Sequence, residues 1–552
     1  MVKYVSQYSE RVFFLSRFFK RTLAFILVFS VVLTPCLHTA ALESIPDSSV
    51  PIVVISGDSN PILDKDGNTV FSTEDIGQMV QKICLEGEEL TDAIFRLLGQ
   101  FLKLYYRGAF TGNFEPYYDF IYNTVQSAFG DSLLDCNGEL TNGSHIRLKT
   151  AAPKVKKNAK SYSTKDYRFF YDWRLDPFRT ADELNTYIKK VKAATGFNKV
   201  GVMCRCLGGN VFLAYVAKYG MDDVCGVAFD GVVLNGSEIL SDPICGKFRF
   251  DADAINRTLI DLNAVNKANV DSAIPAAIDT VVRSGMVDLI KFIIKFPNYN
   301  RIEKGITSAI ALSSFYTWPN YWAAVKAEDY EEALNFVFGS EGSEKRTTYA
   351  GLIEKLDNYD RLVRRRIPEL MQQINESANM VIISKYGFQC APITKSNALV
   401  GDQLISAQLS SFGAKTSTIY DSFSDEYVAD AAVFGLDKYI SPDRQIDAST
   451  CLFPEQTFFI KGSSHSDWTM PEMELMVKVI CADSQLTVDD LPDEHFMVYD
   501  YETDTASPMT VENAHTENWE IDISQRSINP ILKAIGFFKS AITLIKVLSA
   551  DN

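Results

Sequence analysis

Short apolar runs rich in β-branched residues alternate along the chain with stretches in which apolar residues recur at helical spacing. These runs lie at 51–57, 169–173, 199–203, 227–234, 380–384 and 457–461. Between two of them, Leu184, Ile188 and Val191 share one face of a predicted helix over 181–194. This alternation is typical of βαβ units and predicts an α/β fold, with a mostly parallel central sheet flanked by helices.

The pattern changes over residues 237–378, where helical periodicity dominates and strand-like runs disappear. We therefore expect a helical cap insertion there, between a first part of the core at 49–236 and a second part at 379–485. An extension over 486–552 follows. It ends in the apolar segment 530–548, whose interspersed lysines predict an amphipathic helix that either docks on the domain or lies at a membrane surface.

The first 41 residues differ from the rest of the chain. A basic stretch ending at Lys20 and Arg21 precedes the apolar run 23–33, which is shorter than the roughly 20 residues of a spanning helix. This pattern favours a secretory signal over 1–41, so we expect a secreted or cell-surface protein. Two alternatives remain, a retained N-terminal anchor and lipidation at Cys36.

The composition of the chain excludes some classes of function. The chain has 552 residues, of which 47% are hydrophobic, so it can bury a large core. Its net charge of −16 repels phosphate backbones, and we expect no nucleic-acid partner. Cys204 and Cys206 are spaced too tightly for a zinc pair, and the five histidines are scattered. We therefore expect neither a metal nor another cofactor.

Residues 200–210 have the form strand, tight turn and helix, with a nucleophilic side chain at the turn. Cys206 is followed by Leu207, Gly208 and Gly209, which is the layout of the nucleophile elbow G-x-S-x-G. Cysteine stands in the place of serine, and Cys204 stands in the place of the first glycine. A thiol next to an imidazole can do the chemistry of the serine, although a cysteine in such a turn can also be a small packing residue.

A second motif, Tyr171-Asp172-Trp173-Arg174, precedes the elbow, and with it the chain resembles the lecithin:cholesterol acyltransferase family. The resemblance implies an α/β-hydrolase fold. It also implies that the turn after the first core strand supplies oxyanion-hole amides, so that Leu207, Asp58 and Ser59 form this hole. Gly401-Asp402 is similar to the family segment G-D-G-T-V, whose aspartate orients the catalytic histidine, although Gln403 and Leu404 depart from it.

The acid and base should follow the nucleophile in the order Asp, His. Three histidines follow Cys206, and His465 is preferred over His495 and His515 because a strand precedes it and a helix follows it. For the acid we expect Asp402. Asp443 and Asp447 are alternatives because they lie closer to His465 in sequence.

These residues predict a Cys206-His465-Asp402 triad that forms an acyl-thioenzyme from a carboxylic ester and passes the acyl group to water or to an alcohol. Aromatic residues of the cap and of the second motif would line a groove for a lipid-like substrate, unless they form only the core of the cap. They are Trp173, Trp318, Tyr321 and Trp322. A catalytically silent protein that binds a lipid or a protein partner is the main alternative, and a redox protein built on Cys204 and Cys206 is a weaker one.

Overall fold

The computed structural model describes residues 46–514, apart from 58–59, 72–89, 142, 147–151, 248, 250, 252–253, 255–256, 258–298, 314, 391–393 and 502. The expected signal over 1–41, the C-terminal helix at 530–548 and His515 therefore lie outside the described residues. So do Asp58 and Ser59 of the expected oxyanion hole. None of the described helices is long and apolar enough to span a bilayer.

The strands are β1 Asp47–Ser48, β2 Ile52–Ile55, β3 Ile62–Leu63, β4 Thr69–Phe71, β5 His145–Ile146, β6 Tyr162–Ser163, β7 Arg168–Phe169, β8 Val200–Arg205, β9 Val224–Asp230, β10 Asn379–Tyr386, β11 Phe388–Gln389, β12 Val400–Gly401, β13 Lys415–Thr416, β14 Ile446–Asp447, β15 Thr457–Lys461, β16 Phe496–Asp500 and β17 Thr505–Pro508. The helices are α1 Leu90–Thr111, α2 Glu115–Phe129, α3 Pro177–Thr195, α4 Gly208–Tyr219, α5 Glu238–Ile244, α6 Tyr299–Ser313, α7 Pro319–Trp322, α8 Tyr330–Phe338, α9 Glu344–Thr348, α10 Ala350–Leu362, α11 Ile367–Ser377, α12 Ala407–Ser410, α13 Asp425–Val433, α14 Met470–Ile480, α15 Pro492–His495 and α16 Val511–Ala514.

Eight strands form the central sheet in the order β17-β16-β15-β10-β9-β8-β2-β7. Every neighbouring pair is parallel except β16 and β17, which are antiparallel. The expected mixed α/β architecture with a mostly parallel sheet is confirmed.

Alternate residues of the central strands pack on opposite faces of the sheet. Val53 and Val202 face one side, where they join a core that includes α3 and α4. Ile52 and Met203 face the other side and join a core that includes α14. Because side chains alternate along a strand, the continuous apolar runs seen in the sequence are required for a sheet buried on both faces.

Two features of the sheet differ from the expectation. In place of the strand expected at 169–173, β7 ends at Phe169, residues 170–172 are irregular, and a turn begins at Trp173. At the other edge, β16 and β17 extend the sheet past residue 485, where we expected the core to end. Strand β17 forms the edge of the sheet and is largely exposed, whereas β16 lies between β15 and β17 and is buried over Phe496–Tyr499.

The described residues of 237–378 contain helices α5 to α11 and no strand. Apolar side chains from several of these helices form a core of their own, which includes Trp322, Leu334 and Leu356. Helix α11 packs back towards α4 and β10, because its apolar residues Leu370 and Ile374 belong to the core on that face of the sheet. The helical segment thus combines its own core with contacts to the sheet layer.

Candidate active site

Cys206 lies in a tight turn between a buried strand and a helix. All six residues of β8 are buried, and α4 begins only two residues after Cys206. The backbone of Cys206 has φ of +50°, a left-handed conformation that non-glycine residues rarely adopt. Such strain is typical of functional sites, where the surrounding structure holds it in place.

Gly208 allows α4 to approach the sheet closely. A Cβ atom on Gly208 would lie 2.2 Å from the carbonyl oxygen of Ile55 in β2, which is far inside van der Waals contact. Any other residue would push the start of the helix away from the strand. Close packing of α4 against β2 therefore requires a glycine at position 208, where the expected elbow also has one.

His465 follows β15 in a loop that leads into α14. Its side chain is 5% exposed, and its backbone N–H donates to the carbonyl oxygen of Asp402 at 2.8 Å. The loop ends at Thr469, which caps α14 in a reciprocal arrangement with Glu472. The position expected from the sequence, between a strand and a helix, is the one that the structure has.

Asp402 is fully buried and lies against His465. Its Oδ1 accepts hydrogen bonds from the backbone N–H groups of Leu404 at 3.0 Å and Ile405 at 2.8 Å. Its Oδ2 accepts one from Nδ1 of His465 at 2.8 Å. The two backbone bonds fix the carboxylate, and the remaining oxygen can then hold the imidazole in one orientation.

The electrostatics of this pair favour charge on both partners. Burial alone raises the pKa of Asp402, but the adjacent His465 and the hydrogen bonds to it bring this pKa below its usual value. Burial lowers the pKa of His465, but the charges of Asp402 and Cys206 outweigh it and raise this pKa to about 10. His465 is therefore held as a cation when its neighbours are ionised.

The second ring nitrogen of His465 is available for chemistry. Nε2 is buried and makes no hydrogen bond with any described residue. Cys206 is close enough to raise the pKa of the ring, although the contact falls short of a hydrogen bond of normal geometry. An unpaired buried nitrogen beside a thiol is the arrangement expected of a base that accepts a proton from it.

The backbone after β2 passes directly over Cys206. A Cβ atom on Gly57 would lie 2.9 Å from Cβ and 3.2 Å from Sγ of Cys206, and 3.4 Å from the amide nitrogen of Leu207. Gly57 therefore lies beside the amide of Leu207, which is the one expected oxyanion-hole donor among the described residues.

The other candidate acids lie away from His465. Asp443 accepts hydrogen bonds from Lys461 at 2.8 Å and from Tyr386 at 3.1 Å. Asp447 accepts one from the hydroxyl of Tyr427 at 2.6 Å and caps a short turn at Ser449. Both carboxylates have structural partners, and of the three candidates only Asp402 is hydrogen-bonded to His465.

The remaining candidate base, His495, is buried at the far edge of the sheet. Its ring packs on Phe496 at 4.1 Å between centroids, and burial lowers its pKa to about 4. Such a histidine stays neutral at physiological pH and has the character of a packing residue.

Three of the four expected substrate-binding aromatics form one cluster. The ring of Trp173 lies 5.2 Å from that of Trp318 and 5.8 Å from that of Tyr321. All three belong to the same core as Cys206. Nε1 of Trp173 donates to the carbonyl oxygen of Asn60 at 3.0 Å, which ties the cluster to the loop after Gly57.

Trp322 lies elsewhere. It is fully buried in the core of the helical segment, where its ring stacks on Phe338 at 5.5 Å. Its Nε1 donates to the carbonyl oxygen of Tyr316 at 2.9 Å. Trp173 and Trp318 are just as buried, so burial does not distinguish the three tryptophans; Trp322 differs because it packs in the separate core of the helical segment and not in the core that contains Cys206.

Cys204 and Cys206 are both free thiols. Cys204 is buried in β8, and burial raises its pKa well above the usual value, so its thiolate is disfavoured. Among the described residues, no group of three or more histidine, cysteine or acidic side chains could hold a metal ion.

Sequence patterns did not reveal the buried charges next to this site. Arg205, Asp230 and Lys385 lie at the carboxyl ends of three neighbouring strands, and each is at most 6% exposed. Their signal in the sequence is a charged residue at the end of an otherwise apolar run.

No protein-family model matches the chain, and no curated protein matches it, so any functional conclusion rests on this geometry.

Proposed function

We propose that the protein is an exported α/β-hydrolase that acts on carboxylic esters with lipid-like acyl groups. In this proposal Cys206 is the nucleophile, His465 the base and Asp402 the residue that orients the base. The observation that carries the proposal is the left-handed turn at Cys206 directly beside the buried His465–Asp402 pair. The three residues follow the chain order typical of this fold.

The reaction would begin from a thiolate–imidazolium pair, which forms when the thiol proton of Cys206 passes to Nε2 of His465 and which the raised pKa of His465 favours. The sulfur then bonds to the acyl carbon, and the negative charge moves to the carbonyl oxygen. As the C–O bond to the alcohol breaks, the imidazolium gives its proton to the departing alkoxide. Asp402 remains ionised throughout and stabilises the imidazolium.

The resulting thioester would be released by a second attack. Water or an alcohol loses its proton to His465 and attacks the acyl carbon, and Cys206 leaves as a thiol after recovering that proton. Water gives a carboxylic acid and an alcohol gives a new ester, so hydrolysis and acyl transfer share one intermediate. The amide of Leu207 and the turn after Gly57 would bind the oxyanion in both steps, and one such donor contributes about 10²–10³-fold in rate.

The apolar surroundings support a lipid-like acyl group. The ring cluster of Trp173, Trp318 and Tyr321 is joined to the start of α4, because Nδ2 of Asn320 donates to the carbonyl oxygen of Trp173 and Nδ2 of Asn210 donates to the carbonyl oxygen of Asn320. These bonds tie the cluster to α4, the helix that begins two residues after Cys206. An acyl chain against these rings would leave water, which favours longer chains.

The direct test is covalent labelling of the full chain with iodoacetamide, followed by mapping of the labelled cysteines. We expect rapid labelling of Cys206 that is lost in Cys206→Ala and slowed in His465→Ala. Cys204→Ala is the matched control, since Cys204 is a buried thiol in β8, the strand that precedes Cys206, and it should leave the labelling of Cys206 unchanged.

A fluorophosphonate probe on Cys206→Ser adds an independent measurement, because the same base can activate a hydroxyl. We expect a covalent adduct at position 206 that is absent from the doubly substituted Cys206→Ser, His465→Ala protein. Labelling of Cys206 that is indifferent to His465 would refute the proposed triad and favour a catalytically silent protein.

A further inference from the structure

Arg205, the residue directly before Cys206, reaches from the nucleophile turn to the loop that carries His465. It is the last residue of β8 and is 6% exposed. Its Nη2 donates to the backbone carbonyl oxygens of His465 and of Asp467, the latter at 2.8 Å. One guanidinium therefore joins the strand of the nucleophile to the backbone of the base.

The guanidinium is held in place by its surroundings. Nε lies 3.8 Å from Oδ2 of Asp230, and the charged group lies over the ring of Trp468 at 5.2 Å. Asp230 is itself 3.1 Å from Nζ of Lys385, which donates to the carbonyl oxygen of Asp467 at 2.6 Å. A buried cation with this many fixed partners has little freedom to move.

The backbone of His465 is thereby fastened on both sides. Its N–H donates to the carbonyl oxygen of Asp402 at 2.8 Å, and its own carbonyl oxygen accepts from Arg205. The first bond sets the base against its acid. The second sets it against the residue next to the nucleophile, and so against the nucleophile itself.

We propose that Arg205 is a positioning residue that holds His465 at the working distance from Cys206. This inference rests on the proposed function of the same site. Because Arg205 and Cys206 are adjacent, any movement of the strand end carries the nucleophile and the anchor of the base together. Their relative placement is then insensitive to motions of the loop after β15, and a misplacement of about 1 Å can lower a rate by about 10²-fold.

The test compares two substitutions of Arg205. Arg205→Gln removes the charge and shortens the side chain, while Arg205→Lys keeps the charge but replaces the rigid guanidinium, whose Nη2 donates to both carbonyl oxygens, with a flexible ammonium. For each full-length variant we would measure the rate of iodoacetamide labelling at Cys206 near neutral pH, kcat and KM for an ester, and the melting temperature. The labelling rate reports on the pairing of Cys206 with His465 and needs no substrate.

Arg364 offers a closely matched control. It is also a buried arginine, it pairs with Asp360 at 2.7 Å, it donates to the carbonyl oxygen of Trp322 at 2.6 Å, and it lies over the ring of Tyr330 at 4.6 Å. These contacts lie in the helical segment. Arg364→Gln and Arg364→Lys should lower the melting temperature without changing the labelling rate of Cys206.

We expect Arg205→Gln to lower the labelling rate and kcat about 10²-fold with little change in KM, and Arg205→Lys to recover part of that loss. A wild-type labelling rate in either folded variant, with a slow rate in His465→Ala, would overturn the role of Arg205 and leave the triad intact. If Arg205→Gln does not fold, the labelling rate of Arg205→Lys tests the role of Arg205 by the same criterion. A wild-type rate in His465→Ala would instead refute the proposed function.

Discussion

A hydrogen bond of 2.8 Å joins Nδ1 of His465 to Oδ2 of Asp402, although 63 residues separate the two along the chain. Both groups are buried, and burial of either charge alone would be unfavourable. Each buried charge is therefore stabilised by the other. The backbone N–H groups of Leu404 and Ile405 hold the carboxylate in the position that the imidazole requires.

Replacing the acid should damage the reaction much more than the fold. Asp402→Asn leaves a side chain of the same size but cannot stabilise an imidazolium, so we expect kcat to fall about 10²–10⁴-fold. Asp443→Asn and Asp447→Asn are the matched controls and should retain most of kcat, because their partners are Lys461 and Tyr427. Steady-state kinetics of the three variants decides between the acids. A large loss in either control with none in Asp402→Asn would reassign the role.

The same pair should leave a signature in the pH dependence of stability. The pKa of His465 is raised from about 6.5 to about 10, so its contribution is fully present below the lower value and is lost as the pH rises through the higher one. We expect the difference in the free energy of unfolding between wild type and Asp402→Asn to shrink over this window. Denaturant titrations at several pH values measure it. A constant difference would show that His465 is not held as a cation.

His495 should show the opposite dependence. Burial lowers its pKa from about 6.5 to about 4, so the folded state binds its proton less readily than the unfolded state. Wild type should therefore lose stability relative to His495→Gln as the pH falls through this window. This variant leaves the triad untouched, and its kcat should stay near that of wild type. If the difference in stability between wild type and His495→Gln does not change with pH, His495 is not buried as a neutral ring.

Gly57 tests whether the turn after β2 covers the nucleophile. In Gly57→Ala the added methyl would lie 2.9 Å from Cβ of Cys206, so either the turn or the thiol must move. We expect slower labelling of Cys206 and a lower kcat, with a loss of stability of about 1–3 kcal/mol from overpacking. Labelling of Cys206 at the wild-type rate would show that the backbone at Gly57 can move away without changing the environment of Cys206.

The parts of the site that the sequence predicted are those fixed by local patterns. Cys206 stands in a strand-turn-helix motif, and His465 stands between a strand and a helix, so short stretches were enough to find both. Asp402 came from a resemblance of two residues, and sequence could not separate it from Asp443, because the distance to His465 depends on how the segment between β10 and β15 folds back.

Long-range packing explains what the sequence did not predict. In the sequence Arg205 is a single charged residue between two cysteines, and only the fold of the loop after β15 makes it a partner of His465. Trp322 and Tyr321 are neighbours in sequence, but they pack in different cores because helix α7 turns one ring towards each. Adjacent aromatic residues carry no sequence signal that tells these two environments apart.

Tyr321 provides the test of the substrate class. Its ring lies 5.0 Å from Trp318 in the cluster that shares a core with Cys206, so we expect its removal to weaken the binding of an acyl chain. On p-nitrophenyl esters, kcat/KM of wild type should rise from acetate to medium-length chains. The rise should be up to about fourfold per methylene, because each buried methylene can contribute about 0.8 kcal/mol of binding free energy. Tyr321→Ala should flatten this rise.

The matched control for Tyr321 is Phe338→Ala, which also removes a buried ring from the helical segment but opens the separate core around Trp322. Because its ring is not part of the cluster of Trp173, Trp318 and Tyr321, this variant should lose stability and keep the chain-length dependence of wild type. Equal flattening in both variants would mean that loss of stability, and not loss of contact, changes the preference. A wild-type preference for acetate would instead identify a hydrolase of small esters, since the apolar cluster would then contribute nothing to the transition state.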